Sequence, residues 1–210
     1  MTNPNYTHLT LVVDRSGSME SMRDDAQGGI KTLVTEQFAE PGTISITMVE
    51  FDNEFSDVAR MAAKPFDYQL HPRGGTALLD AVGREIARTG EDLAAMPEDQ
   101  RPGKVIFVVV TDGQENSSHE FTIETVRSAI NRQKISFGWE FQFIGAGEAA
   151  WQAEELGMNM SRMNATGKGQ KGAYGSLNAS LKTLRIQQME ADRLAYEGKL
   201  NMPENIPDED

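Results

Sequence analysis

The chain contains no cysteine, which removes disulfide frameworks, thiolate metal sites and cysteine nucleophiles together. Histidine is nearly as scarce, with three in 210 residues. Bases are outnumbered as well. Twenty lysines and arginines face 32 acidic residues, and the formal charge of −12 repels a phosphate backbone and argues against nucleic acid as a partner. No apolar run approaches the length of a membrane span, and the opening MTNPNYTHLTLVVDRSG carries no basic leader. A cytoplasmic location without a membrane partner is the expectation.

What is present is an alternation of strand and helix patterns, in a chain whose length suits one domain. Leu9 to Val13 and Val105 to Val110 are continuous apolar runs rich in β-branched residues, the pattern of central strands buried on both faces. Thr43 to Phe51 alternates, and Phe55 to Met61 follows after a short turn, which predicts a hairpin whose second strand is an antiparallel edge. Further strands are expected at Gly138 to Ile144 and, at an edge, Met158 to Met163. Helical stripes lie between them: Met22, Ala26, Ile30, Leu33, Val34 and Phe38; then Leu79, Val82 and Ile86; then Ile123, Val126 and Ile130. A short helix is expected from Ala149 to Leu156, and a long one from about Ser176 through Leu177, Leu181, Leu184, Gln188, Ala191 and Ala195. The sum is an α/β doubly wound fold, a mostly parallel sheet with one antiparallel edge strand and helices on both faces.

In such folds ligands bind beyond the carboxyl ends of the strands. DRSGSM follows the first strand and TDGQ ends the strand VIFVVV, while HPRGGT precedes a helix. These segments bring Asp14, Ser16, Ser18, Thr76 and Asp112 to one rim. All five carry the short oxygen ligands that hard cations such as Mg²⁺ take, two of them charged and three neutral. Taken alone, DRSGSM is equally a βα turn in which Ser16 or Ser18 caps the helix, and Thr76 is equally an N-cap. Gly17 is expected to permit a tight backbone course that aims Ser16 and Ser18 at one ion.

The set Asp14-x-Ser16-x-Ser18, Thr76 in a GGT loop and Asp112 in a TDG segment resembles the complete metal-ion-dependent adhesion site (MIDAS) of the von Willebrand factor A (VWA, integrin I-like) domain family. The resemblance implies a Rossmann-like VWA domain over residues 6–196, followed by an acidic, disordered tail over 197–210. It implies Mg²⁺ or Mn²⁺ held by Ser16, Ser18 and Thr76 through hydroxyls and by Asp14 and Asp112 directly or through water. An Asp or Glu from a protein partner completes the shell in that family. Intracellular bacterial and phage relatives are accessory subunits beside ring-forming AAA-type ATPases or stress-response complexes, and such a separate partner is the expectation here.

Around the rim, Arg73, His71 and His119 are candidate contacts for an acidic partner, set against ordinary loop chemistry. Asp52, at the end of the second strand, is expected to be a turn residue, with support of the site as the alternative. GKGQKG, Gly167 to Gly172, lacks the phosphate-loop order and is expected to be a mobile linker. Two other functions compete with the binding module. One is a Mg²⁺-dependent phosphoryl or ester hydrolase using Asp14, or Ser16 with His119, for which no G-x-S-x-G or D-x-D-x-T motif exists. The other is a structural component of a particle.

Overall fold

The two apolar runs become the middle of one sheet. In the computed structural model, which describes residues 2–146, 149–163 and 167–200, β1 (Asn3–Asp14) and β4 (Pro102–Thr111) run parallel, with Leu9 opposite Ile106 and Val13 opposite Val110. β2 (Thr43–Phe51) flanks β1 in parallel, and β3 (Phe55–Ala62) turns back antiparallel at the edge. β5 (Glu140–Ala146) and β6 (Asn159–Met163) extend the parallel set on the other side, giving the order β3-β2-β1-β4-β5-β6. This is the expected fold.

Side-chain alternation divides the core into two layers. Leu9, Leu11 and Val13 of β1 pack with Ile106, Val108 and Val110 of β4 under α1 (Arg23–Ala39) and α5 (Gly167–Leu200). Val12, Phe107, Val109, Phe141 and Phe143 face the opposite way, under α2 (Leu78–Ala95), α3 (Ile123–Phe137) and α4 (Ala150–Leu156). The helices that follow β1 and β4 thus lie on opposite faces. The crevice between the carboxyl ends of these two neighbours is the topological switch point, where such sheets bind ligands.

The sheet also buries polar groups. His8 is fully buried on β1 with Nδ1 2.7 Å from Ser45 Oγ. Burial, and then the charge of Arg60, push its pKa down to about 3.

Two expectations about the last helix change. α5 begins at Gly167, so GKGQKG forms its first turns and is no linker. Its anchor is Tyr174, whose ring lies over Gly29 of α1, so close that a Cβ there would stand 2.3 Å from a ring carbon. Leu177 and Leu181 bury the expected stripe below it, with Leu184 partly buried; Gln188, Ala191 and Ala195 lie outside the described side chains. The helix runs to Leu200, so residues 197–200 are helical, and 201–210 lie outside the described residues. No helix among the described residues is long and apolar enough to cross a membrane.

Candidate metal centre

β1 delivers Asp14 to the switch point fully buried, and the chain then passes through Ser16 into a 3-10 turn, Gly17–Met22. Ser16 N–H donates to Asp14 Oδ1 at 2.6 Å, and Thr111 Oγ1 donates to Asp14 Oδ2 at 2.5 Å. Ser16 Oγ and Ser18 Oγ are 3.0 Å apart, and Ser18 Oγ donates to Asp112 Oδ1 at 2.9 Å. Thr76 enters from the loop before α2, 2% exposed, its N–H donating to Asn116 Oδ1 at 2.9 Å.

Three of these oxygens meet in front of Gly113, and Ser16 Oγ and Asp112 Oδ1 adjoin them through Ser18 Oγ. A Cβ on Gly113 would stand 2.7 Å from Thr76 Oγ1, 3.0 Å from Ser18 Oγ and 3.1 Å from Asp14 Oδ2. The absent side chain leaves a small oxygen-lined cradle. Its base is buried Asp14, Ser16 and Thr76; its mouth is exposed Ser18 and half-buried Asp112.

None of the three hydroxyls serves as a cap. Ser16 precedes the 3-10 turn with no side-chain cap bond, and the residue preceding α2 is Ala77 rather than Thr76. Thr122 at α3 shows what a cap looks like here, accepting from Thr125 N–H in a reciprocal capping box. Gly17 also differs from expectation. Its φ is ordinary and an added Cβ would meet only Gly74 O, at 3.5 Å, so the tight course does not require glycine there. The required glycine is Gly74, whose φ of 68° is left-handed.

The electrostatics of the cradle are unbalanced. Burial pushes the Asp14 pKa up to about 6, with the Asp112 charge adding to the rise and hydrogen bonds from Thr111 and Ser16 opposing it. Burial likewise raises Asp112. Among the described residues no group of three or more His, Cys, Asp or Glu side chains is placed to hold a metal ion, so a cation here would depend on the hydroxyls. Two carboxylates and three hydroxyls suit a hard cation. The residues fit the ion.

A second layer, of which the sequence offered only Asp52 as an alternative to a turn residue, fastens the loops. Asp52, 2% exposed, accepts from Arg15 Nε at 3.1 Å and from Arg73 Nε at 2.6 Å. It is therefore more than a turn residue: it ties DRSGS to HPRGGT, alongside Gly17 N–H to Gly74 O at 3.1 Å and Arg73 N–H to Arg15 O at 2.7 Å. Against burial, which pushes it up, the Glu54 N–H and then the two arginines hold the Asp52 carboxyl below its usual range. Gln152 of α4 fixes the third loop, donating to Gly113 O at 3.0 Å and accepting from Glu115 N–H at 2.7 Å. Of the rim candidates, Arg73 is exposed but paired to Asp52 and Glu54 of its own chain. His71 and His119 are exposed, and His119 is placed by its N–H on Asp80 Oδ2 at 2.9 Å.

Neither a protein-family model nor a curated protein matches the sequence. Solved structures match in fold. A von Willebrand factor type A structure from Catenulispora acidiphila aligns with a TM-score of 0.58 at 16% identity, over 88% of this chain and 43% of its own. Proximal thread matrix protein 1 from the mussel byssus, solved with a zinc-occupied MIDAS motif, gives 0.56 at 15%, over 82% and 46%. The von Willebrand factor domain of the type V pili tip protein Mfa5 from Porphyromonas gingivalis gives 0.55 at 11%, over 84% and 95%. The chain spans less than half the length of the first two. At such identities the likeness is one of fold: a Rossmann-like, von Willebrand factor A arrangement of six strands with one antiparallel edge.

Proposed function

We propose that the rim holds one Mg²⁺ or Mn²⁺ ion on Asp14, Ser16, Ser18, Thr76 and Asp112, and that the loaded rim captures an Asp or Glu of a partner protein. The observation that carries this is the convergence of Thr76, Ser18 and Asp14 oxygens on the space a Gly113 side chain would fill. When bound, the cation supplies a Lewis-acidic centre for a carboxylate oxygen. The chain's own residues do the rest. Asp14 and Asp112 offset the ion's charge, the three hydroxyls supply neutral ligands, and Asp52 with Gln152 holds the three loops in place before any ion arrives. To the exposed rings of His71 and His119, and to Arg73 although Asp52 and Glu54 already pair with it, we assign the contacts with an acidic visitor.

The zinc-occupied MIDAS motif of the mussel byssus protein supports divalent-cation use by this fold. The setting we infer is a cytoplasmic bacterial or phage assembly, with a separate AAA-type ATPase or stress-response complex as partner, and it rests on the family resemblance. The hydrolase reading gains no support from the site: Ser16 Oγ is shared with Ser18, and among the described residues no histidine ring hydrogen-bonds it.

Calorimetric titration with Mg²⁺ and Mn²⁺ tests the metal. One site per chain, lost in Asp112→Ala, is expected; binding that survives this change and Thr76→Ala would overturn the assignment. Capture of the partner from the native host should then fail in chelator.

A further inference from the structure

The last residue of β4, Thr111, is fully buried directly before Asp112, and it has no place in the ligand set proposed above. Its β-branched shape alone suits a strand end. Shape does not account for where its hydroxyl goes. Thr111 Oγ1 lies 2.5 Å from Asp14 Oδ2, 3.0 Å from Gly113 N and 3.3 Å from Gly113 O. A hydroxyl has one proton to give. The shortest contact, in the range of a hydroxyl donating to a carboxylate, claims that proton for Asp14 Oδ2. Gly113 N–H then donates to a lone pair of the same hydroxyl. One buried oxygen thus joins the end of β1 to the glycine beside which the site's oxygens meet.

Which carboxylate oxygen it holds decides its use. Asp14 Oδ1 accepts from Ser16 N–H at 2.6 Å, whereas Oδ2 is the oxygen that would stand 3.1 Å from a Cβ on Gly113. An ionised carboxylate has about four lone-pair sites on its two oxygens, so Oδ2 keeps one after the Thr111 bond. With a donor on each oxygen, the carboxylate is fixed against rotation about its Cβ–Cγ bond.

We propose that Thr111 is a positioning residue for the cation: its hydroxyl keeps Asp14 Oδ2 and Gly113 in their mutual places before an ion arrives. The assignment rests on the metal reading above. Groups that orient a ligand in this way typically contribute about 10- to 100-fold to metal affinity.

The test compares Thr111→Val, which keeps the branched shape and loses the hydroxyl, with Thr111→Ser, which keeps the hydroxyl and loses the methyl. Calorimetric titration of the full chain with Mg²⁺ and with Mn²⁺ should give a Kd raised about 10- to 100-fold in Thr111→Val and close to wild type in Thr111→Ser. A second readout needs no metal. In chelator, hydrogen exchange at the Gly113 amide, followed by NMR, should quicken in Thr111→Val and stay slow in Thr111→Ser. Should Thr111→Val fail to fold, Thr111→Ala takes its place as the variant without a hydroxyl. A merely structural residue would shift the urea midpoint in chelator without moving Kd. An unchanged Kd or unchanged Gly113 exchange without the hydroxyl, or an equal loss of affinity in Thr111→Ser, would overturn the positioning role and leave the metal site standing. Absence of ion binding by the wild type would overturn the metal reading, and this role with it.

Discussion

Replacing Asp14 by Asn separates the cost of the cradle from its use. The carboxylate is fully buried, and its pKa rises from the ordinary 3.8 to about 6 in the folded protein. An acid whose folded pKa is raised destabilises the fold when ionised. The penalty is absent below 3.8, grows between 3.8 and about 6, and is complete above that. Its full size is about 3 kcal/mol. Asparagine keeps the shape and removes the charge; its amide can still accept from Ser16 N–H and meet Thr111 Oγ1. In chelator at about pH 8, Asp14→Asn should therefore be more stable than the wild type by up to about 3 kcal/mol, the gain fading to nothing near pH 4. His8 works in the opposite sense, its depressed pKa eroding stability as pH falls from 6.5 toward about 3, but it is common to both proteins and cancels in the difference. Urea denaturation at the two pH values measures the gap. Saturating Mg²⁺ should reverse the order, raising the wild type by about 4.1 kcal/mol at a thousandfold excess over Kd and leaving the variant unmoved. If the variant is less stable than wild type in chelator at high pH, the buried charge is not the liability the geometry makes it.

Gly113→Ala places a methyl 2.7 Å from Thr76 Oγ1 and should abolish Mg²⁺ binding by calorimetry while circular dichroism stays native, at a stability cost of about 1–3 kcal/mol. Asp52→Ala removes the carboxylate that Arg15 and Arg73 share while leaving them Glu50 and Glu54; a loss of about 1.5–3 kcal/mol in urea is expected, with metal affinity reduced about tenfold or more, and unchanged affinity would show that the loops need no fastening. Gly29→Ala drives a methyl into the Tyr174 ring, so hydrogen exchange along α5 should rise with a global cost of about 1–3 kcal/mol, whereas native protection would refute the contact.

The apolar runs and their alternation were enough to place every strand, because burial on one or both faces writes itself into residue order. β1 extends back to Asn3 beyond the expected Leu9, since NPNYTH is polar and its pairing with Pro102 and Lys104 is a tertiary fact. The five oxygen-bearing residues of the rim could be picked out because each sits in a short motif at an element end. Arg15, Asn116 and Gln152 were not, because their partners lie 37 to 40 residues away and leave no local pattern, and Asp52 was weighed only as the lesser alternative to a turn residue. Gly113 carried a faint signal in TDG, where a glycine beside a ligand hints at close approach. The start of α5 was missed for an opposite reason: four glycines at 167, 169, 172 and 175 argue locally against helix, and Tyr174 on Gly29 outweighs them.

The parallel register of β1 against β4 carries a consequence for folding. Asp14 and Asp112 become neighbours only when Val13 stands opposite Val110, and a slip of one residue would turn the inward side chains of β4 to the other face. A denatured or mis-registered chain offers a cation no more than the isolated DRSGS segment. Ambient divalent metal would then act as a thermodynamic bias on strand registry, favouring the one alignment that brings residues from opposite halves of the chain together, and its withdrawal should loosen the sheet as a whole rather than the rim alone.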